Sequence, residues 1–348
     1  MTRKRRTITQ PGPSVWPGVP GRRLALVLAI LLVCVAVVAW GCGGSADTTE
    51  TTDTTQATMT QATTATTAAT AQAQPIEVTD DAGVKFVLQK PAARVISLAP
   101  SNTETVFALD AQAQLVGVTT FCDYPEAAKS IAKVGTFSEP STEAIVALKP
   151  DLVLVPGGKV QTDVQEELKR LNVPIFVVSP ENLDELLADI EKVGKLLGKN
   201  DEAARLVESM NKDIQTVQSK VASLPTKTVF FEIYSAPLMT AGKGTLIDEI
   251  VTRAGGVNIG SQAGEGYPQF SEEALLKENP EVYIAVQGAQ SDPGAISSRP
   301  GYSTLTAVAK DQVFIIDDNL VVRDGPRITQ GLVKVAEFIH PEAFTDTK

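Results

Sequence analysis

Residues 141–154 read STEAIVALKPDLVL, and residues 271–284 read SEEALLKENPEVYI. The two stretches align at a constant offset of 130 residues, with Ser, Glu, Ala and Pro at the same places. Each has a Ser before a helical pattern, then a proline turn, and then an apolar run that is typical of a buried strand. The same three features in the same order predict two lobes of similar construction that face each other.

Short apolar runs alternate with helical patterns on both sides of this repeat. Ser101 and Glu104 have the spacing of a capping box, which predicts a helix from Ser101 to Leu109. Continuous apolar strands between helices are typical of parallel sheets that are covered on both faces. The sequence therefore predicts an α/β fold with two Rossmann-like lobes that contain parallel sheets. The predicted strands are 95–98, 115–118, 152–155 and 175–178 in the first lobe, and 229–233, 282–286 and 313–316 in the second.

A long helical stretch lies between the two lobes. Its apolar residues recur with a helical period from Leu183 to Leu197, and Gly198 ends this first helix. Asn200 is the predicted cap of a second helix, about 35 Å long, that ends near Leu224. A backbone helix of this length would join the lobes stiffly and limit hinge motion. The predicted segments are 1–42 (signal, lipoprotein or membrane-anchor segment), 43–74 (Thr-rich disordered linker), 75–180 (N-terminal lobe), 181–225 (connecting helices) and 226–348 (C-terminal lobe).

The N-terminal segment has the pattern of an export signal. Basic residues at 3–6 precede an uncharged apolar run from Leu24 to Trp40. A small residue before Cys42, with small residues after it, resembles the lipobox of bacterial lipoproteins, although Ala39 stands where that motif usually has Leu. Lipid attachment at Cys42 and an uncleaved transmembrane anchor are both open, because about 17 apolar residues are the lower limit for spanning a bilayer. Either alternative makes the folded part extracytoplasmic and anchored to the cell membrane.

The composition excludes several classes of site. The chain has one histidine, His340, which we expect at the surface, and three cysteines. This set does not supply the ligands of a zinc site, a Ser-His-Asp triad or a metal-handling enzyme. We therefore predict no catalytic residue, no metal site, no cofactor and no enzymatic activity, with Cys122 a small buried side chain. The formal net charge of −10 argues against nucleic-acid binding.

Four segments of the folded part resemble the cobalamin-binding proteins of ABC importers. These proteins form a helical-backbone class of substrate-binding proteins together with ferric-siderophore and haem binders. The segments are Arg94–Glu104, Val116–Pro125, Val134–Phe137 and Ile145–Leu154, within a resemblance that covers roughly 90–340. The resemblance implies a monomer that binds a small metal-chelate ligand between two lobes. Its implied partner is an ABC permease dimer with ATPase subunits.

The resemblance also implies roles for individual residues. One glutamate on each lobe docks on arginines of the permease in this class, and these positions fall on Glu143 and Glu273, which the repeat aligns independently. A glutamate in the first turn also stabilises a helix by about 0.3–1 kcal/mol, so a structural explanation stays open for both. The residues implied to bind the ligand are Pro100, Ser101, Phe121, Tyr124, Phe137, Tyr234, Tyr267, Asn319 and Arg323.

The ligand class stays open at this point. The folded part has no Trp, whereas enterobacterial-type cobalamin binders have several near the ligand, so stacking on a corrin would depend on Phe and Tyr. A catecholate siderophore is trianionic and needs clustered cations, for which Arg299, Arg323 and Arg327 are the candidates. The lack of a dense basic cluster in the sequence favours cobalamin or a related corrinoid. The alternatives are a ferric-siderophore or haem binder and, less favoured, an adhesive or sensory two-lobed protein or a metal-handling enzyme.

Overall fold

The computed structural model describes residues 75–158, 161–288 and 294–345. These residues belong to one compact unit, Ala69–Lys348. The predicted signal or anchor segment, the lipid-attachment residue Cys42 and the Thr-rich linker lie outside the described residues. Among the residues that are described, no helix combines the length and the apolar character that crossing a membrane requires.

The N-terminal lobe is a four-stranded parallel sheet with a two-stranded hairpin beside it. The hairpin strands are antiparallel, and the sheet has the strand order β4-β3-β5-β6 with every neighbour parallel. All residues of β3 and β6 are buried, as expected for a sheet covered on both faces. In chain order the elements are β1 (Ile76–Thr79), β2 (Lys85–Leu88), β3 (Val95–Ser97), α1 (Pro100–Ala108), β4 (Leu115–Val118), α2 (Thr142–Ala147), β5 (Leu152–Pro156), α3 (Thr162–Arg170) and β6 (Ile175–Val178).

Two helices connect the lobes, α4 (Leu183–Leu197) and α5 (Asn200–Val221). The predicted bounds of α4 are confirmed: Asn182 caps its start, and Gly198 ends it with a φ of 70° in the left-handed region. The predicted capping role of Asn200 is wrong, because Asn200 is the first residue of α5 and no side chain caps that helix. At 1.5 Å per residue α5 is about 33 Å long, which makes it the predicted backbone helix.

The C-terminal lobe is a five-stranded mixed sheet. The order is β11-β10-β7-β8, with β9 also beside β7; β8 is antiparallel to β7 and the other pairs are parallel. The antiparallel β8 was not predicted, because a three-residue strand after a tight turn is too short to show a period. The elements are β7 (Lys227–Ser235), β8 (Leu238–Thr240), α6 (Leu246–Arg253), β9 (Gly256–Asn258), α7 (Glu272–Glu278), β10 (Val282–Gln287), α8 (Thr306–Ala309), β11 (Val313–Asp317) and α9 (Ile328–Ile339).

The capping box predicted at Ser101 is not formed. Helix α1 begins at Pro100 with Ala99 as its N-cap, and no side chain caps it. Proline suits a first helical position because its φ is fixed and it lacks the N–H that would be unpaired there. Ser101 and Glu104 therefore lie inside the helix, and both side chains are buried. The carboxylate of Glu104 is therefore available to pair with residues of the C-terminal lobe.

His340 is fully buried, so its predicted surface position is wrong. It follows the last residue of α9 and packs against Gly255, whose carbonyl oxygen lies 3.3 Å from Nε2. The other ring nitrogen, Nδ1, lies 3.3 Å from Glu342 Oε1. Both ring nitrogens thus have polar neighbours, which accounts for a histidine that is fully buried in the C-terminal lobe.

The internal repeat corresponds to equivalent helices, α2 and α7. Ser141 and Ser271 each accept a hydrogen bond from the backbone N–H three residues on, at 3.2 and 3.3 Å. Ile145 and Leu275 are also 130 residues apart, and both are fully buried in an outer hydrophobic cluster of their own lobe. The repeat is therefore present in the structure as well as in the sequence.

One further hydrophobic cluster, the central cluster, is shared by both lobes. It includes side chains of β3 in the N-terminal lobe, of α4 and α5, and of β7 and β10 in the C-terminal lobe. Each lobe thus packs on the connecting helices through the same continuous core. This packing supports the stiff connection that the sequence predicts.

A buried acidic cluster fixes the hairpin to α4. Lys192 Nζ lies 2.7 Å from Asp189 Oδ1 and 2.9 Å from Asp81 Oδ1, and Asp189 is 1% exposed. Asp80 and Asp81 in the hairpin turn accept hydrogen bonds from the backbone N–H groups of Val177 and Ser179. Burial raises the pKa of Asp189 to about 7, against the hydrogen bond from Lys192, which lowers it.

We expect this cluster to make stability fall as the pH rises. The unfolded carboxyl of Asp189 loses its proton near pH 4, whereas the folded one keeps it up to about pH 7. Its contribution to the free energy of unfolding is therefore present below about pH 4 and is lost between about pH 4 and 7. Asp189→Asn should flatten this slope in urea unfolding measured from pH 4 to 8, and Glu191→Gln, exposed on the same helix, should not. An unchanged slope in Asp189→Asn would contradict the assignment.

Candidate functional site

The carboxyl ends of β3 and β4 carry four of the predicted ligand residues. Pro100 and Ser101 begin α1 shortly after β3, and Ser101 is buried. Phe121 and Tyr124 lie in the loop after β4 and are 45% and 47% exposed. Loops at the carboxyl ends of parallel strands are where α/β proteins bind ligands. These two rings are therefore available at the expected edge of the lobe.

The loop that carries Phe121 and Tyr124 is fixed by the residue between them. Cys122 is buried, as predicted, and its Sγ lies 3.2 Å from Thr119 Oγ1. Lys133 Nζ also donates to the carbonyl oxygen of Cys122 at 3.3 Å. These contacts hold the middle of the loop in the lobe while the two aromatic rings stay exposed.

Phe137 is held by a residue that the sequence reasoning missed. Gln161 is 1% exposed, and its Nε2 donates to the carbonyl oxygens of Phe137 at 2.7 Å and of Leu98 at 3.0 Å. The amide therefore ties the half-buried Phe137 loop to the end of β3. A lone glutamine before a helix carries no recognisable signal, so only the three-dimensional contact identifies it.

The C-terminal lobe presents two exposed tyrosines. Tyr234 lies near the end of β7 and is 40% exposed, and Tyr267 is 46% exposed in the loop that follows Gly266. Gly242 N–H donates to the carbonyl oxygen of Gly266 at 2.7 Å, and a Cβ at Gly242 would overlap the carbonyl oxygen of Gly264. The Tyr267 loop is therefore pinned by a close backbone approach that only glycine allows.

The two lobes are joined across the cleft by a buried carboxylate. Glu104 of α1 is 3% exposed, and Arg327 donates to both of its oxygens at 2.7 Å. Arg323 Nη1 lies 2.9 Å from Glu104 Oε1 and 2.9 Å from Asp123 Oδ1. The Arg327 guanidinium also lies 3.9 Å from the centre of the Tyr124 ring. Hydrogen bonding to Glu104 raises the pKa of Arg327, so this guanidinium keeps its charge.

Two predicted ligand residues make contacts within the protein. Arg323 is engaged by Glu104 and Asp123, as described above. Asn319 donates to Asp317 Oδ1 from its backbone N–H at 2.9 Å and from Nδ2 at 2.7 Å. Glu104, by contrast, was predicted only as part of a helix cap. Ligand binding by Asn319 and Arg323 stays a prediction.

A cavity of about 580 Å³ opens beside Tyr267. It is formed by the C-terminal lobe and by the segment that joins β6 to α4. Among the predicted ligand residues, all of which lie in the described part of the chain, Tyr267 lines this cavity. No group of three or more His, Cys, Asp and Glu side chains that could hold a metal occurs among the described residues. The lining residues are Pro180, Glu181, Lys243, Gly244, Thr245, Leu246, Glu265, Gly266, Tyr267, Val321, Val322 and Asp324.

Glu143 and Glu273 occupy the same position in the two lobes. Each is the second residue of its helix, α2 or α7, and each is exposed. Their helices pack inward through Ile145 and Leu275, so the glutamates lie at equivalent places on the two lobes. This geometry is compatible with both the docking role and the helix-stabilising role.

Comparison of the chain with protein families and curated sequences gives consistent matches. A family model described as periplasmic binding protein matches residues 95–320. An uncharacterised ABC transporter substrate-binding lipoprotein, YvrC, of Bacillus subtilis is 31% identical over 279 residues, covering 78% of this chain and 88% of that protein. A vitamin B12-binding protein of Yersinia pestis is 34% identical over 208 residues, covering 60% and 74%.

Solved structures share the fold. The vitamin B12-binding protein BtuF of Vibrio cholerae has a TM-score of 0.64 at 27% identity, covering 74% of this chain and 99% of that one. A possible iron-binding periplasmic solute-binding protein of Staphylococcus epidermidis has a TM-score of 0.64 at 28% identity, covering 72% and 100%. The predicted α/β class with two lobes is thereby confirmed.

We expect Glu104→Gln to destabilise the protein. The change keeps the shape of the side chain but removes the charge that pairs with Arg323 and Arg327, so the free energy of unfolding should fall by about 1.5–3 kcal/mol in urea denaturation. Asp123→Asn is the matched control, because it also pairs with Arg323 but is half exposed and should cost less than about 1 kcal/mol. Equal losses in the two variants would show that the buried bridge has no special weight.

Proposed function

We propose that this chain, which belongs to the periplasmic binding protein family and is a substrate-binding protein of the ABC-importer class, captures cobalamin or a related corrinoid. The family match and the relatives confirm the resemblance that the sequence motifs indicated. One relative is named as a substrate-binding lipoprotein of an ABC transporter, and others are named as vitamin B12-binding proteins. The ligand is bound between the lobes and delivered to a permease dimer with its ATPase subunits.

The observation that carries the corrinoid proposal is a set of exposed aromatic side chains on both lobes. Phe121 and Tyr124 in the N-terminal lobe and Tyr234 and Tyr267 in the C-terminal lobe are each 40–47% exposed. Loops at the carboxyl ends of strands are where α/β proteins bind ligands, and exposed rings there can contact a ligand. A corrin is a flat macrocycle, and one Phe or Tyr ring can bury about 150–250 Å² against such a surface. The vitamin B12-binding relatives support the same ligand class.

The arginines bear on the alternative, a ferric siderophore or haem. Each candidate cation is paired with a carboxylate of the protein: Arg299 with Glu232, and Arg323 and Arg327 with Glu104. A trianionic catecholate complex would have to compete with these pairs for every guanidinium. The pairing favours a ligand without a large negative charge. The possible iron-binding relative keeps the alternative as an outcome to test.

Docking and anchoring complete the proposal. Glu143 and Glu273 would each meet an arginine of the two-fold permease, since a two-lobed protein with one acidic residue per lobe matches a dimer. Cys42 would carry a lipid that holds the protein at the outer face of the cell membrane, and the lipoprotein name of the Bacillus subtilis relative supports this. The protein would act as a monomer without a cofactor of its own.

We expect Phe137→Ala and Tyr267→Ala to weaken corrinoid binding. Loss of a stacked ring should lower the binding free energy by about 1–3 kcal/mol, measured by calorimetry of the purified protein with cobalamin and cobinamide. Leu171→Ala is the control, because Leu171 is 52% exposed at the end of α3 and should leave affinity unchanged. Unchanged affinity in both aromatic variants would contradict stacking of these two rings on the ligand. Tighter binding of haem or a ferric siderophore than of any corrinoid would replace the ligand class.

We expect the double variant Glu143→Gln/Glu273→Gln to bind ligand normally and to lose uptake. Neutral side chains cannot pair with permease arginines, so transport of labelled ligand into cells should fall while the dissociation constant stays the same. Glu272→Gln, next to Glu273 in the first turn of α7, controls for loss of helix stabilisation. Normal uptake by the double variant would show that the two glutamates only stabilise their helices.

A further inference from the structure

The wall of the cavity beside Tyr267 carries more acidic than basic side chains. Its acidic residues are Glu181, Glu265 and Asp324, and its basic residue is Lys243. Glu181, Lys243 and Glu265 are exposed, so water and salt screen their charges. Asp324 is only partly exposed. It is therefore the charge on this wall that a ligand would meet with the least screening.

Asp324 is held in place from the opposite lobe. Burial raises the pKa of Asp324, while hydrogen bonds from its own backbone N–H and from the Ser101 hydroxyl of α1 to its carboxylate lower that pKa. The next residue, Gly325, lies so close to α1 that a Cβ there would be 3.3 Å from the Cα of Ser101. The carboxylate thus has a fixed position at the junction of the two lobes.

The neighbouring arginines do not neutralise Asp324. Arg323 and Arg327 both pair with Glu104, and in the described part of the chain no ion pair joins Asp324 to a lysine or arginine. Partial burial of Tyr267, which is 46% exposed, and the charge of Asp324 together raise the pKa of its phenol to about 12, so the tyrosine stays neutral beside the carboxylate. The Tyr267 ring and an Asp324 carboxylate without a cationic partner therefore lie together in the wall of the cavity.

We propose that Asp324 is a specificity-determining residue that accepts an N–H of a primary amide at the edge of the ligand and rejects a carboxylate at the same place. The inference rests on the proposed corrinoid function and adds to it the amidation state of the ligand. A carboxylate is an acceptor only, so it suits an amide N–H and repels a second carboxylate. Cobalamin carries primary amides at its periphery, and hydrolysis of one of them replaces that amide with a carboxylate.

The test compares cobalamin with its isomeric monocarboxylates, in each of which one peripheral amide is a carboxylate. We expect one isomer to bind the unaltered protein at least about tenfold more weakly than cobalamin, because a charge-assisted hydrogen bond is lost and two anions are brought together. Asp324→Asn should reduce this ratio to about threefold or less for that isomer. Asp324→Ser, a smaller neutral side chain, should do the same if Asn disturbs the loop.

Glu278→Gln is the control for a general change of charge, and it should leave the ratio unchanged because Glu278 is exposed and lies outside the cavity lining. Equal binding of all isomers by the unaltered protein would overturn the inference. So would a discrimination that persists in both Asp324 variants. In either case cobalamin still binds and the proposed function stands, whereas failure of every corrinoid to bind would reject the function itself.

Discussion

A single buried carboxylate links the two halves of the molecule. Glu104 lies almost fully buried in α1 of the N-terminal lobe, and the guanidinium groups that neutralise it come from residues 323 and 327 of the C-terminal lobe. A carboxylate cannot stay charged in such a place without partners, so the observed placement of the lobes and the pairing support each other. Two further close contacts lie beside this pairing: Tyr124 under Arg327, and Gly325 against Ser101.

The same contact explains why the late arginines do not form an open anion site. Three guanidinium groups near the end of the chain could in principle serve a negatively charged ligand, but each has a carboxylate of the protein as its partner. Opening of the lobes would expose Glu104 and its two arginines to water together. The carboxylate and both guanidinium groups would then regain their hydration in the same step. Such a bridge orients the lobes without necessarily adding much to their affinity for each other.

Helices, strands and their caps could be predicted from the sequence better than the side-chain contacts between distant parts of the chain. The repeat identified two equivalent helices, and the serine caps at Ser141 and Ser271 were confirmed because a cap is a local arrangement. Glu104 was interpreted as a local cap, although its partners lie 219 and 223 residues away, where no pattern in the chain reveals them. Gln161 and the buried His340 were missed or misplaced for the same reason. The exposed aromatic residues were found through family motifs, and their roles stay predictions.

The continuous core through the connecting helices has a consequence for how the protein unfolds. Two lobes with separate cores would melt as independent units, each with its own midpoint. Here the central cluster belongs to both lobes and to α4 and α5, so losing one lobe would strip apolar contacts from the other. The molecule should therefore behave as one cooperative unit in calorimetry, and a ligand bound between the lobes would protect both of them from heat and from proteases.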